Sequence, residues 1–156
     1  MKLFLIVELL ILVTLIISSS SSSSSMVQEN PPSRLIKIAA DSGEYDDLER
    51  ATTECAGLVA AFVTKIPSLD SIAEMVTVME TMTTVSIYLR EVELKISADR
   101  IVDEILDISY VYENVMLENI TATGNLLGTD KKLASEVDSC FILSNQIIKN
   151  LNEEVI

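Results

Sequence analysis

Residues 45–66 read YDDLERATTECAGLVAAFVTKI, and this stretch decides the fold class. Apolar or small side chains recur along it every three or four residues: Leu48, Ala51, Cys55, Leu58, Phe62 and Ile66. That spacing places them on one face of an α-helix. Asp46 and Asp47 suit the positive N-terminal end of the helix. Pro67 ends it, because proline has no N–H to donate.

Three further segments carry the same kind of apolar stripe. The second stripe contains Ile72, Met75, Met79, Met82, Ser86 and Leu89. The third stripe contains Ile101, Ile105, Ile108, Tyr112, Val115 and either Asn119 or Ile120. The fourth stripe contains Leu133, Val137, Cys140, Ser144, Ile147, Leu151 and Val155. The chain has only four glycines and three prolines, which favours long helices over a turn-rich β fold. We therefore predict an all-α domain over 45–156, folded as a four-helix antiparallel bundle with up-down-up-down topology.

The second and third stripes differ in phase. Continuing the second stripe through Val92 and Ile96 would bury Asp99 and Asp103. We therefore predict a turn at 97–99, with Ser97 or Asp99 capping the next helix. One long kinked helix through 68–120 is the alternative. A loop at 123–128 precedes the last helix, for which Thr129 or Asp130 is the predicted cap.

The first 25 residues resemble a secretory signal peptide. Lys2 precedes an apolar run over 3–17, which would span roughly 22 Å as a helix and is shorter than the roughly 30 Å hydrocarbon core of a bilayer. Eight serines follow at 18–25. We predict a signal peptide with a poly-Ser tract over 1–25, a secreted product, and no stable membrane span after cleavage. Because Glu8 interrupts the run, an uncleaved anchor and translation from Met26 are the alternatives.

Residues 26–44 are predicted to form a short flexible arm before the bundle. Pro31 and Pro32 argue against a regular start. The apolar segment 35–40 allows either a short helix or an extended arm lying on the core.

The two cysteines predict a disulfide. Cys55 and Cys140 lie on the stripes of the first and last predicted helices, which are neighbours in an up-down-up-down bundle. An oxidising compartment favours their pairing, and two buried free thiols are the alternative. Asn119 opens an Asn-Ile-Thr sequon beside a glycine loop, so we predict an N-glycan there if the chain is secreted.

Composition excludes several function classes. The net charge is −13 and there is no His. Such acidity opposes binding to nucleic acids and would favour a basic protein partner. Without His the common hydrolytic triads and most zinc sites are unavailable. We interpret Asp99, Asp103 and Asp107, with Glu104, as a solvated face. We predict a non-enzyme with no catalytic, metal-binding or cofactor-binding residue.

The leading hypothesis is a secreted, non-enzymatic protein that acts through protein–protein interaction, as a ligand, inhibitor or structural component. The first alternative is a carrier of a small apolar ligand, with Met75, Met79 and Met82 lining its cavity. An enzyme that uses only carboxylates comes third. It requires at least two acidic side chains that converge in one cleft.

Residues 137–140, Val-Asp-Ser-Cys, and the helix that follows are similar to the Asp-Cys helix of the plant invertase and pectin methylesterase inhibitors. The resemblance implies a secreted, acidic four-helix bundle that inhibits an enzyme. Those inhibitors form two disulfides from four cysteines, whereas this chain has two cysteines. The likeness therefore adds an inhibitor-like alternative and does not establish membership.

Overall fold

The computed structural model describes residues 30–65, 72–128 and 131–153. Of these residues 86% are helical and none forms a strand, so the all-α class is confirmed. The helices are α1 (Pro32–Ser42), α2 (Tyr45–Lys65), α3 (Ile72–Tyr88), which continues into a π-helical turn (Leu89–Leu94), α4 (Ile101–Thr123) and α5 (Lys132–Glu153). The signal peptide predicted over 1–25 lies outside the described residues, as do the predicted caps Thr129 and Asp130.

Helix α2 is the centre of the fold, and the other four helices pack around it. Every side chain over 51–59 is buried. A helix buried on all sides has neighbours on all sides. The faces of α2 outside its apolar stripe carry small or hydroxyl residues such as Thr52 and Ala56, which allow those neighbours to approach. Thr52 also shares a buried hydrogen bond of 2.7 Å with Ser86 of α3.

The four-helix up-down-up-down bundle is not confirmed. In that arrangement the helices now named α4 and α5 would be adjacent. Among the described residues, no α-carbon of α4 lies within 8 Å of one in α5. Helix α4 instead packs along α2, which the predicted bundle would place diagonally opposite it. Over the described ranges, the fold is a central helix surrounded by four others.

Gly57 allows the close approach of α2 and α4. A Cβ atom built at Gly57 would lie 2.3 Å from Ile108 Cγ2 and 3.1 Å from the Ile105 carbonyl oxygen. No side chain larger than hydrogen fits there without displacing α4. Nearby, Lys65 forms an ion pair of 2.8 Å with Glu113 across the same two helices.

The segment predicted as a flexible arm contains α1, which lies against α2 and α5. Of the two alternatives for 35–40, the structure has the helix, with Leu35 and Ile36 buried. The expectation that Pro31 and Pro32 would prevent a helix from starting in this segment is wrong. Pro32 is the first helical residue, where a missing N–H costs nothing and the fixed φ suits the helix. Gly43, in the left-handed conformation, then closes α1.

The predicted break between the second and third stripes is confirmed. The π-helical turn ends at Leu94 and α4 begins at Ile101, which excludes one long kinked helix. The predicted caps are wrong: Arg100 occupies the N-cap position without a side-chain hydrogen bond, while Ser97 Oγ accepts from the Asp99 N–H inside the turn. Val92, within the π-helical turn, and Ile96, after the helix has ended at Leu94, are exposed rather than buried.

Most of the predicted stripes face the core. Met75, Met82, Ser86 and Leu89 of the second are buried, as are Leu133, Val137, Cys140, Ser144 and Ile147 of the fourth. In α4 the buried face is slightly rotated, because Ser109 and Met116 are buried while Ile120 is exposed. Leu151 is exposed, and Val155 lies outside the described residues.

Candidate functional site

The predicted disulfide is present. Cys55 of α2 and Cys140 of α5 are bonded, with their α-carbons 5.5 Å apart, and both are fully buried. The bond joins the central helix to the last helix across 85 residues of sequence. Both sulfur atoms belong to the buried core, where the bond fixes the position of α5 against the central helix.

One side of α4 carries two groups of exposed apolar residues, separated by the ion pair between Glu113 and Lys65. Large side chains recur along it at helical spacing with high solvent exposure: Val102 56%, Leu106 58%, Tyr110 67%, Leu117 61% and Ile120 45%. Single exposed apolar residues are ordinary, but several that recur on one side of a helix are a mark of an interaction surface. We call this set of five residues the α4 outer face. It spans roughly 27 Å, since a helix rises 1.5 Å per residue.

The α4 outer face is bordered by acidic residues. Helix α4 contains five acidic residues and no Lys or Arg. Asp103, Asp107 and Glu118 are exposed beside the apolar row. The interpretation of Asp99, Asp103 and Asp107 as solvated agrees with their exposure. Glu104, predicted to belong to the same solvated face, is instead bound by Arg90. No group of acidic, Cys or His residues within the described ranges is arranged to hold a metal ion.

A second polar feature is a clamp made by Arg90 at the start of the π-helical turn. Its Nε donates to Glu49 Oε1 of α2 at 2.7 Å, and its two terminal nitrogens donate to both carboxylate oxygens of Glu104 in α4. The hydrogen bonds from Arg90 lower the pKa of Glu104. Arg90 thereby joins its own helical segment to α2 through Glu49 and to α4 through Glu104, and its pair with Glu49 is largely buried. The clamp is not visible in the sequence pattern, since nothing local links three residues so far apart.

A buried carboxyl lies beside the clamp. The Tyr112 hydroxyl donates to Glu54 Oε1 at 2.9 Å. Burial, together with the nearby charge of Glu136, raises the pKa of Glu54 to about 7, although the Tyr112 hydrogen bond opposes the rise. Glu136 in turn accepts hydrogen bonds from Ser33 N at 2.7 Å and Ser33 Oγ at 2.9 Å. This carboxylate of α5 therefore caps the first turn of α1, where backbone N–H groups lack partners.

Glu49, Glu54 and Glu104 line one cleft of about 280 Å³. Acidic side chains of α2 and α4 therefore converge in one cleft, as an enzyme that uses only carboxylates would require. Two of the three carboxylates, however, are occupied by Arg90. The remaining one, Glu54, is largely buried and accepts a hydrogen bond from the Tyr112 hydroxyl. We interpret the cleft as the solvent edge of a structural network.

Another cavity, of about 300 Å³, lies between α3 and α5. Glu74, Val78, Phe141 and Ser144 are among its lining residues, and the buried Ser144 Oγ has no hydrogen-bond partner. The methionines proposed to line a carrier cavity are not among the lining residues of either cavity.

The predicted glycosylation site is on the last turn of α4. Asn119 is half-buried, and its Nδ2 atom, which would carry a glycan, donates to the Leu126 carbonyl at 3.1 Å. The side chain also packs against Gly128. This contact holds the loop after α4 against the helix end. Glycosylation of Asn119 stays a prediction.

Within the described part of the chain, no helix combines the length and hydropathy needed to cross a bilayer. No protein-family model, curated protein or solved structure matches the chain.

Proposed function

We propose that this is a secreted, non-enzymatic protein that acts by binding another protein through the α4 outer face. The single observation that carries the proposal is the row of exposed apolar residues along α4. An enzyme inhibitor, as the resemblance of 137–140 implies, is one form of this function.

The α4 outer face suits recognition because it is both apolar and rigid. Burial of apolar surface stabilises a complex by about 25 cal/mol per Å² before the cost of association is deducted. The stripe lies on one regular helix that is packed against α2 on its other side. Its backbone is therefore already ordered before a partner arrives, and little backbone order has to be gained on binding.

Action outside the cell is supported by the disulfide and by the apolar leader sequence. A bond between Cys55 and Cys140 persists in an oxidising compartment. The 3–17 run followed by eight serines has the order of a signal peptide. Both features favour passage through the secretory route.

A secretion experiment with a matched pair of variants tests the proposal. The full chain is expressed in secreting cells with a C-terminal tag and recovered from the medium, and co-purifying proteins are identified by mass spectrometry. Leu106→Ser removes an apolar side chain from the α4 outer face. Ile142→Ser removes one of comparable exposure from α5 and serves as the control.

We expect a secreted product without its leader, and a partner that is retained by Ile142→Ser and lost by Leu106→Ser. Retention inside the cell with an intact N-terminus would overturn the proposed location. An identical set of bound proteins for both variants would overturn the role of the α4 outer face.

A further inference from the structure

We infer that the occupant of the α4 outer face is a cationic amphipathic helix of a partner protein, with an apolar stripe flanked by Lys or Arg. This inference rests on the proposed function and specifies the chemistry of the partner.

The apolar part of the surface fits a helix. Val102, Leu106 and Tyr110 follow one another at four-residue spacing, and Leu117 continues the same line two turns later. A helix laid against this row would present side chains at the same three- and four-residue spacing. The row is roughly 27 Å long, which corresponds to about five helical turns on the partner.

The charged part of the surface selects the sign of the partner. Asp103, Asp107 and Glu118 are exposed along one edge of the row. Helix α4 itself contains no Lys or Arg, and the exposed Arg100 lies at its N-cap. Glu113 is not available to a partner in the same way, since Lys65 pairs with it at 2.8 Å. Lys or Arg residues beside the partner's apolar stripe would meet the three free carboxylates and set the orientation of docking.

The same charges argue against two other occupants. In a dimer formed through this face, two helices without a basic residue would bring their carboxylates together, which disfavours association. An anionic lipid surface would be repelled by the acidic edge. A cationic helix is favoured by both the apolar row and its border.

Two synthetic peptides of about 18 residues test the inference. Both carry leucines at three- and four-residue spacing; one has lysines on the flanks and the other has glutamates at the same positions. Binding to the secreted, leaderless protein is measured by fluorescence anisotropy at low and high salt. We expect the lysine peptide to bind at least about tenfold more tightly, with a difference that shrinks at high salt.

Because the whole protein has a net charge of −13, diffuse attraction has to be separated from docking. Asp103→Asn with Asp107→Asn removes two charges from the border of the α4 outer face. Glu80→Gln with Asp138→Asn removes two exposed charges from α3 and α5 and serves as the control. Leu106→Ser and Ile142→Ser form the corresponding apolar pair.

We expect the two variants on α4 to weaken binding of the lysine peptide by about tenfold each, and both controls to bind nearly as well as the wild type. Equal effects of α4 variants and controls would show diffuse attraction and overturn the inference. So would tighter binding of the glutamate peptide, or a dimer in sedimentation that Leu106→Ser dissociates. If the peptides fail but Leu106→Ser still loses the natural partner, the inference fails and the proposed function stands.

Discussion

Replacing Glu54 with glutamine should stabilise the protein at neutral and alkaline pH. In the folded protein, burial raises the pKa of Glu54 from its usual 4.5 to about 7. Between these two values the folded state holds a proton that the unfolded chain has released. Stability therefore falls as the pH rises through this window, and the penalty is complete above the folded pKa.

The magnitude follows from the size of the pKa change. A rise from 4.5 to about 7 corresponds to roughly 3 kcal/mol of destabilisation once the carboxylate is ionised. Glutamine has the same shape and no charge, and its amide oxygen can accept the Tyr112 hydrogen bond. Glu54→Gln should therefore unfold with nearly the wild-type free energy near pH 4.5. It should be more stable by up to roughly 3 kcal/mol near pH 8.

Urea unfolding of both proteins across this pH range, with the disulfide intact, measures the difference. Because the lowered pKa of Glu104 contributes a slope of opposite sign, only the difference between variant and wild type is interpreted. The exposed Glu80→Gln is the matched control for removal of one carboxylate. A flat difference for Glu54→Gln, or a loss of stability near pH 8, would refute the buried, protonated state of Glu54.

Three further perturbations test the packing around α2. Gly57→Ala should lower the free energy of unfolding by about 1 to 2 kcal/mol, because the clash with α4 outweighs the gain in helix propensity. A variant with greater thermal stability than the wild type would contradict the close approach of α2 and α4. Arg90→Met should lower the free energy of unfolding by about 3 to 5 kcal/mol, since it leaves the Glu49 carboxylate buried without its cation. A urea midpoint equal to that of the wild type would show that the Arg90 clamp contributes nothing to stability. Reducing the bond between Cys55 and Cys140 should lower the free energy of unfolding by about 2 to 5 kcal/mol, and coincident urea curves with and without reductant would rule this out.

Sequence periodicity predicted the features that depend on one helix at a time. The stripes at 45–66 and 133–155 placed Cys55 and Cys140 on inward faces, and the disulfide follows from that placement. The phase jump after Ile96 located the turn before α4. These features are local, because three- and four-residue spacing directly gives the side of a helix on which a residue lies.

The arrangement of helices could not be predicted in the same way. Burial of Thr52 and Gly57 shows that α2 is surrounded, but neither residue contributes to an apolar stripe. The clamp of Arg90 joins residues that are far apart in the sequence. Such features depend on which helices become neighbours, and amphipathicity does not determine that.

The α4 outer face was missed for a related reason. Helix α4 carries two apolar rows, and periodicity alone does not say which row is buried. The periodicity predicts a core position for the stripe through Ile101, Ile105 and Tyr112, and it gives no role to the second row through Leu106 and Tyr110. Further apolar residues beside the buried stripe, bordered by acidic residues, are the sequence signal that could have identified this face.

Photo-crosslinking from the α4 outer face tests the central claim most directly. A benzoylphenylalanine is placed at Leu106, or at the control position Ile142, and the secreted protein is irradiated in the medium of its own cells. We expect a discrete covalent adduct with one protein from position 106 and none from position 142, with the adducted peptide of the partner rich in Lys or Arg. Absence of an adduct from position 106, or equal adducts from both positions, would contradict a role for α4 in recognition.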